Sequence, residues 1–510
     1  MTNTILDFLN CIDPSQNQLY PLDEEDTVSP PPLLYVKLAE DLHRLIDAGD
    51  LHPGERLPSV RRLASERHLS ISTVLQALRQ LEDRGLIEAR PQSGYFVRHT
   101  PSRRAQPNTR STPEEPVPVD VSQRVMRVLQ SGRQPGVAPL TYAHSAPSLL
   151  PLATLQRLYG SVVRRHPRLL ETGTHIQEYN PALIRQLVLR TVGWPGPLSA
   201  TELVITNSCT EALALCVRAV TRPGDTVAVE SPAYYLMLQL LETAGLKALE
   251  IPTDPRNGLS IEALDLATRD GRVTACLLVP NASNPLGSIM PEENKRRLAK
   301  LTAERGVVVI EDDIFGDLYF GDERPWPIKA FDRTGNVMLC ASYSKCLSPA
   351  LGIGFVAAGR FRAQVALQKT ITSGPTNAVT QQVLAEYLES GAYDRHMRTL
   401  RRQHQRQVDA MRAAVARYFP TATRMTAPQG GLVLWVELPE GIDTSALYDR
   451  AIAAGLAYVP GELFSASGMY RNCLRLNCGN PFTPTIDDAV RRLGVLIGQA
   501  APIQDGRLGH

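Results

Sequence analysis

The sequence predicts an α/β protein with a mostly parallel sheet, preceded by a small helical domain that ends in a two-stranded wing. Three observations carry this. A chain of 510 residues is too long for one hydrophobic core and needs two or more domains. Residues 33–98 show helical periodicity that gives way to a short alternating segment. From about residue 139 to 500, apolar strands alternate with amphipathic helices, the rhythm of a parallel sheet with helical crossovers.

The elements follow in order. Residues 1–32 hold six acidic side chains, no Lys or Arg, and end in Pro30-Pro31-Pro32; they read as an acidic, disordered tail. The run Ile5-Leu6-Asp7-Phe8-Leu9 is the alternative there, as a short docking helix. Leu38, Leu42, Leu45 and Ile46 form one apolar stripe, and Pro53-Gly54 breaks the chain. Ser59 is placed to cap a short helix. Ser70 or Ser72 starts the next, with Val74, Leu75, Leu78 and Leu81 as its expected buried face. Gly85 closes it. Leu86 to Val97 alternates around Ser93-Gly94, two strands and a tight turn. Three helices and a wing make the winged helix-turn-helix order. Residues 99–138 are rich in Pro, Ser, Thr and Arg and read as a linker. The body spans 139–500, with strands at Leu203-Val204-Ile205-Thr206, Thr226 to Glu230, Ala275 to Leu278 and Val307 to Ile310. Residues 501–510 form a C-terminal tail.

Bulk composition excludes little. The net charge is +2, so any basic surface must be local. Eight cysteines without paired spacing suggest reduced thiols and a cytoplasmic chain. Cys473 and Cys478 have no matching Cys or His pair for zinc, and no metal site is expected. No run approaches eighteen uninterrupted apolar residues, so no membrane span is expected. The N-terminus lacks the basic start of a secretory signal.

In a helix-turn-helix the second helix enters the major groove with its N-terminal residues near base edges. Here these are Ser70, Ser72, Thr73 and Gln76, whose hydroxyls and amide suit base edges or phosphates. Arg61 and Arg62 open the preceding helix, where they suit phosphates. Arg90, Gln92 and Ser93 place the wing on the duplex. The bland alternative is a solvated surface, because acids and bases nearly balance in this segment. The run Leu51-His52-Pro53-Gly54-Glu55-Arg56-Leu57-Pro58-Ser59-Val60-Arg61-Arg62-Leu63-Ala64 closely resembles the head of GntR-type regulators. So do Gln80 to Ile87 and Arg90 to Val97. The resemblance covers 33–98 and implies binding to a double-stranded DNA operator. Many relatives carry Arg where this chain has Ile71 or Leu75, so a base-reading guanidinium is missing there.

The body carries an ordered set of chemical groups. Ser342-Tyr343-Ser344-Lys345 ends in a lysine. Val307-Val308-Val309-Ile310-Glu311-Asp312-Asp313 is an apolar strand ending in carboxylates. Pro280-Asn281-Ala282-Ser283-Asn284-Pro285-Leu286-Gly287 supplies an amide. An amine that forms an imine, an anion for a pyridine nitrogen and a donor for a phenolic oxygen are the needs of pyridoxal 5'-phosphate (PLP). Residues 139–500 resemble fold-type I aminotransferases. With the head, the chain resembles a MocR-type transcriptional regulator, a GntR-type head fused to an aminotransferase-like body. The resemblance implies that Lys345 is the Schiff-base lysine, Asp312 faces the ring nitrogen, Asn284 reaches the phenolic oxygen and Tyr234 stacks on the ring. It implies that the amides of Cys209 and Thr210, with Ser208, Ser342 and Ser344, hold the phosphate. Tyr179 resembles the tyrosine that reaches the partner subunit's phosphate, which implies a homodimer. Arg475 resembles the arginine that grips an α-carboxylate, which implies an amino compound as effector. Plain core packing for Tyr234 and an internal ion pair for Arg475 are the structural alternatives.

Three positions depart from the family pattern. Ser208 stands where glycine is usual. Phe315 replaces the tyrosine three residues after the ring-nitrogen aspartate, and Gly352 replaces the arginine seven residues after the lysine. An arginine–phosphate bond contributes about 1.5–3 kcal/mol, so its loss weakens cofactor binding by roughly ten- to a hundredfold. The expected function is a transcriptional regulator that binds PLP to control DNA binding. The alternatives are a working aminotransferase with a vestigial head, and a regulator that has lost PLP and uses the body for dimerisation or another ligand.

Overall fold

The computed structural model describes residues 34–48, 51, 56–90, 93–97, 104–171 and 179–500. The two tails, at 1–32 and 501–510, and Gln92 lie outside the described residues. The chain divides into two compact units, residues 1–98 and 99–510.

The described residues of the first unit form three helices and a hairpin: α1 (Leu34–Ala48), α2 (Val60–Glu66), α3 (Ile71–Asp83), β1 (Ile87–Arg90) and β2 (Gly94–Val97). Ser59 caps α2, its hydroxyl accepting the Arg62 N–H at 3.3 Å. Ser70 caps α3, accepting the Thr73 N–H at 3.1 Å. Gly85 has φ +71°, a conformation that costs glycine little, and Leu86 N–H then reaches back to Leu81 O at 2.9 Å. β1 and β2 pair antiparallel, with Arg90 opposite Gly94. The core draws on Leu38, Leu42, Leu63, Val74, Ala77, Leu78, Leu81, Ile87 and Val97. Here one expectation fails. Leu75 is only half-buried, and Ala77 takes the fourth place on the inner face. Positions 74, 77, 78 and 81 follow the i, i+3, i+4, i+7 spacing of one helical stripe, and 75 falls off it.

A small domain has little stability to spare. Leu78 is fully buried, and Leu→Ala at such a site costs about 2–5 kcal/mol. Leu78→Ala is therefore expected to unfold the head while the larger unit melts unchanged. Two separate calorimetric transitions, one displaced downward, would show this.

The second unit is built on a nine-stranded sheet. In chain order its strands are β3 (Val117–Pro118), β4 (Leu203–Thr206), β5 (Thr226–Ser231), β6 (Lys247–Asp254), β7 (Gly258–Leu259), β8 (Val273–Leu278), β9 (Val308–Asp312), β10 (Val337–Ser342) and β11 (Gly354–Ala357). Their spatial order is β3-β6-β5-β8-β9-β10-β11-β4, with β7 beside β6. The β6-β5-β8-β9-β10 core is parallel. β11 is antiparallel to both β10 and β4, so β4 points the same way as the parallel set. β4 and β5 are buried along their whole length, as a sheet covered on both faces requires. A smaller antiparallel sheet follows: β12 (Arg424–Met425), β13 (Val433–Glu437), β14 (Val459–Pro460) and β15 (Cys473–Asn477), in the order β12-β13-β15-β14.

Residues 104–138, read from composition as linker, are folded onto this unit. The Arg104 guanidinium donates to the carbonyls of Pro420 at 2.6 Å and Ala416 at 2.5 Å, at the end of helix Ala392–Tyr418. Arg110 pairs with Glu437 at 2.5 Å. β3 pairs with the edge of β6. Helix Ser122–Ser131 starts where the Glu242 carboxylate accepts the N–H groups of Val121 and Ser122 at 2.8 and 2.9 Å. Polar anchors of this kind leave no apolar period to find. Val119, Val121, Val125 and Val128 are nevertheless buried in the main core, and their spacing was the available signal.

Candidate functional site

The parallel strands and β4 deliver their carboxyl ends to one edge of the sheet, the usual place for a ligand in an open α/β sheet. Ser208, Cys209, Thr210, Tyr234, Asn284, Asp312, Ser344 and Lys345 line one cavity of about 240 Å³ there. Each sits just beyond a strand: β4 runs into Ser208, β5 into Tyr234, β8 into Asn284 and β10 into Lys345, while Asp312 ends β9.

Lys345 Nζ donates to the Ala143 carbonyl at 2.7 Å and lies 5.9 Å from the centre of the Phe315 ring. Burial, reinforced by the Arg475 charge, pushes its pKa down to about 7. Asp312 is buried, and this raises its carboxyl to about 6. Its Oδ1 accepts the Ile314 N–H at 3.0 Å and the Cys209 thiol at 3.3 Å. Ser208 is extended and caps the helix Cys209–Val220, its hydroxyl accepting the Glu211 N–H at 3.0 Å. The first amides of that helix, at Cys209 and Thr210, belong to residues of the cavity wall.

Asn284 is 2% exposed. Its Oδ1 accepts from Arg475 Nη1 at 3.3 Å, but its Nδ2 is buried without a partner among the described residues. Arg475, from β15, is fully buried between the Tyr235 and Phe464 rings, each 5.6 Å from the guanidinium carbon. Nη2 bonds the Thr141 carbonyl, and Nε has no partner among the described residues. No carboxylate of the described residues pairs with it, so the internal ion-pair alternative does not hold.

Ser342 and Arg475, both expected at this site, are not among the residues that line the cavity. Ser342 faces a neighbouring smaller cavity with Arg190, Asp313, Asp317 and Arg324, and its hydroxyl meets that of Ser344 at 2.8 Å. Tyr179, expected at the partner subunit's phosphate, packs half-buried against the core, its hydroxyl without a partner among the described residues. Gly352 has φ +55°. A Cβ built there meets nothing closer than the Asn207 carbonyl, 3.8 Å away.

The sequence reading missed the segment 141–145. His144 lines the cavity, and burial, with the Lys345 and Arg475 charges, lowers its pKa to about 4. Ser145 Oγ donates to the Lys345 carbonyl at 3.1 Å and meets His404 Nε2 at 2.9 Å. The segment is irregular and has no period to flag it.

In the head, Ser72 and Gln76 are exposed on α3, and Arg61 is exposed on α2. The hydroxyl of Ser70 meets those of Ser72 and Thr73, both at 2.8 Å. Arg62 is exposed and bonded to Glu66 at 2.6 Å. On the wing, Arg90 pairs with Glu88 at 2.8 Å and stacks 4.2 Å from the centre of the Phe96 ring. Ser93 is exposed in the turn.

Residues 34–97 match the family of bacterial regulatory proteins, gntR family, and residues 180–493 match aminotransferase class I and II. The HTH-type transcriptional regulator YjiR of Escherichia coli (strain K12) is 36% identical over 471 residues, which cover 91% of this chain and 99% of YjiR. The chain belongs to the MocR-type regulators. Its MocR-type body is similar to the multiple substrate aminotransferase of Thermococcus profundus, with TM-score 0.68 and 29% identity over 74% of this chain and 94% of that one. It is also similar to the alpha-aminoadipate aminotransferase LysN of Thermus thermophilus, with TM-score 0.67 and 28% identity over 74% and 94% of the two chains. That structure is complexed with N-(5'-phosphopyridoxyl)-L-leucine. No helix among the described residues of the MocR-type chain is long and apolar enough to cross a membrane.

Proposed function

We propose that this regulator binds PLP in the Lys345 cavity and that the loaded body, as a homodimer, sets how its heads engage double-stranded DNA. The Asn284 amide carries the reading. A buried N–H without a partner costs about 1–3 kcal/mol, and this one belongs to a cavity wall that also holds a lysine and an aspartate. A phenolic oxygen is the acceptor it lacks. The neighbouring groups fit the rest of the cofactor. The amides of Cys209 and Thr210, at a helix N-terminus, and the hydroxyls of Ser208 and Ser344 suit its phosphate. Tyr234 presents a ring face, and Asp312 keeps one carboxylate oxygen for the pyridine nitrogen. When bound, PLP would supply an aldehyde that reacts with an amine and a ring that withdraws electrons.

Ser342 supports this reading only indirectly, through its hydroxyl contact with Ser344, and Tyr179 is assigned to the partner subunit's phosphate by the family resemblance alone. Arg475 keeps its Nε free for the carboxylate of an amino compound. Phe315 has no hydroxyl to offer the phenolic oxygen, which suits binding better than turnover.

The direct test is operator binding by the full chain with and without PLP. A PLP-dependent change in affinity or in the spacing of protected half-sites is expected. Binding to no duplex at all, or identical binding in both states, would sink the proposal. Efficient single-turnover conversion of PLP to pyridoxamine phosphate would favour an enzyme instead.

The lysine has its own prediction. Only the uncharged amine attacks an aldehyde. With its pKa near 7, the Lys345 amine gains reactivity about tenfold per pH unit below that value and levels off above it. Covalent capture of PLP, followed by stopped-flow absorbance, is expected to plateau above pH 7 and not to climb toward pH 10.

A further inference from the structure

We propose that Ile71, with Leu75 one turn behind it, reads the 5-methyl group of thymine in the major groove. The head would then choose a T·A pair at that point of each half-site by apolar contact. This rests on the proposal that the head binds double-stranded DNA.

The geometry of α3 sets the argument. Val74, Ala77, Leu78 and Leu81 face the core, which turns Ile71, Ser72, Gln76 and Arg79 outward. Isolated apolar residues are ordinary on protein surfaces. What sets Ile71 apart is its place. It is the first residue of the second helix in a helix-turn-helix, where base edges are met, and it is 52% exposed. Neither Ile71 nor Leu75 packs into the core of the head. They stand four residues apart, so they form one continuous apolar edge on the helix.

The polar groups around Ile71 are already engaged. The Ser70 hydroxyl bonds those of Ser72 and Thr73, each at 2.8 Å, and also takes the Thr73 amide at 3.1 Å. This mutual bonding leaves them fewer directions in which to read a base. A branched aliphatic side chain offers no hydrogen bond, and among the four bases only thymine carries a methyl group on the major-groove edge. Gln76, exposed one turn further on, supplies the polar half of the code and suits adenine N6 and N7. Alternation of an apolar edge with one free amide describes a reader of A·T-containing sites.

The test uses the full chain. A duplex is selected from a random pool, and each thymine is then replaced singly by uracil, which pairs identically but lacks the methyl. For the native protein, one replacement per half-site is expected to weaken binding by about fourfold, the worth of one buried methyl. Ile71→Ala is expected to bind more weakly and to be indifferent to uracil at that same position. Ile71→Val should retain part of the discrimination. The exposed position leaves the fold intact, which a matching thermal transition would confirm. Equal sensitivity to uracil in native and Ile71→Ala proteins, or a selected site with no thymine dependence, would overturn the assignment while DNA binding stands. Failure to select any duplex would remove both the DNA-binding proposal and this one.

Discussion

Lys345→Ala is expected to abolish the visible absorbance of protein purified in the presence of PLP and to weaken cofactor binding on the order of a hundredfold or more. Two effects combine. The variant has no amine at this site for the aldehyde to react with, and it removes a positive charge from a cavity that would hold a phosphate. A charge-assisted bond alone contributes about 1.5–3 kcal/mol. The Ala143 carbonyl would lose its donor at 2.7 Å, but that oxygen can turn to water in the emptied space. The fold should survive, because Lys345 is only half-buried and faces a cavity. Lys345→Arg separates the two effects, since it keeps the charge and cannot form the imine. A visible band that persists in Lys345→Ala would show that another lysine captures PLP.

Gly352→Arg is expected to tighten PLP binding by roughly ten- to a hundredfold. The gain is the arginine–phosphate bond, about 1.5–3 kcal/mol. The left-handed backbone costs a residue with a Cβ about 1 kcal/mol, but it does so in free and bound protein alike, so it lowers stability and leaves affinity unchanged. The site has room, with 3.8 Å to the nearest heavy atom from an added Cβ. Gly352→Ala pays the backbone cost without the guanidinium, so it should bind PLP no better than the native chain. Absorbance titration of the three proteins checks the difference. An arginine variant that binds no more tightly than the alanine variant would place the phosphate elsewhere.

The head was almost fully legible in the sequence, because its signals are local. Ser59, Ser70 and Gly85 punctuate the helices where caps are needed, and one apolar stripe per helix marks the core. The misplaced residue was Leu75, where apolar type was read without its angular position. The cavity wall was legible for a different reason. Lysine, aspartate and asparagine are unusual at the ends of buried strands, so their ordered appearance stood out. Position within the wall was harder. Ser342 and Ser344 alternate along the chain, and side chains two apart need not share a cavity once the strand has ended. Thr141, Ala143 and His144 were invisible because irregular backbone carries no period and two of their contributions are carbonyl oxygens, which every residue has.

The short strand β3 has a consequence for handling the molecule. The outer edge of β6 is met by β3 at one end and β7 at the other, and an uncovered strand edge is a template for intermolecular pairing. A body cut at residue 139 would bare that edge at Lys247 and Ala248. It would also strip away the buried valines at 119, 121, 125 and 128. Such a fragment is expected to self-associate, as light scattering would report, whereas one begun at Arg104 should stay dispersed. The stretch that composition marks as a tether therefore also works as the selvedge of the sheet.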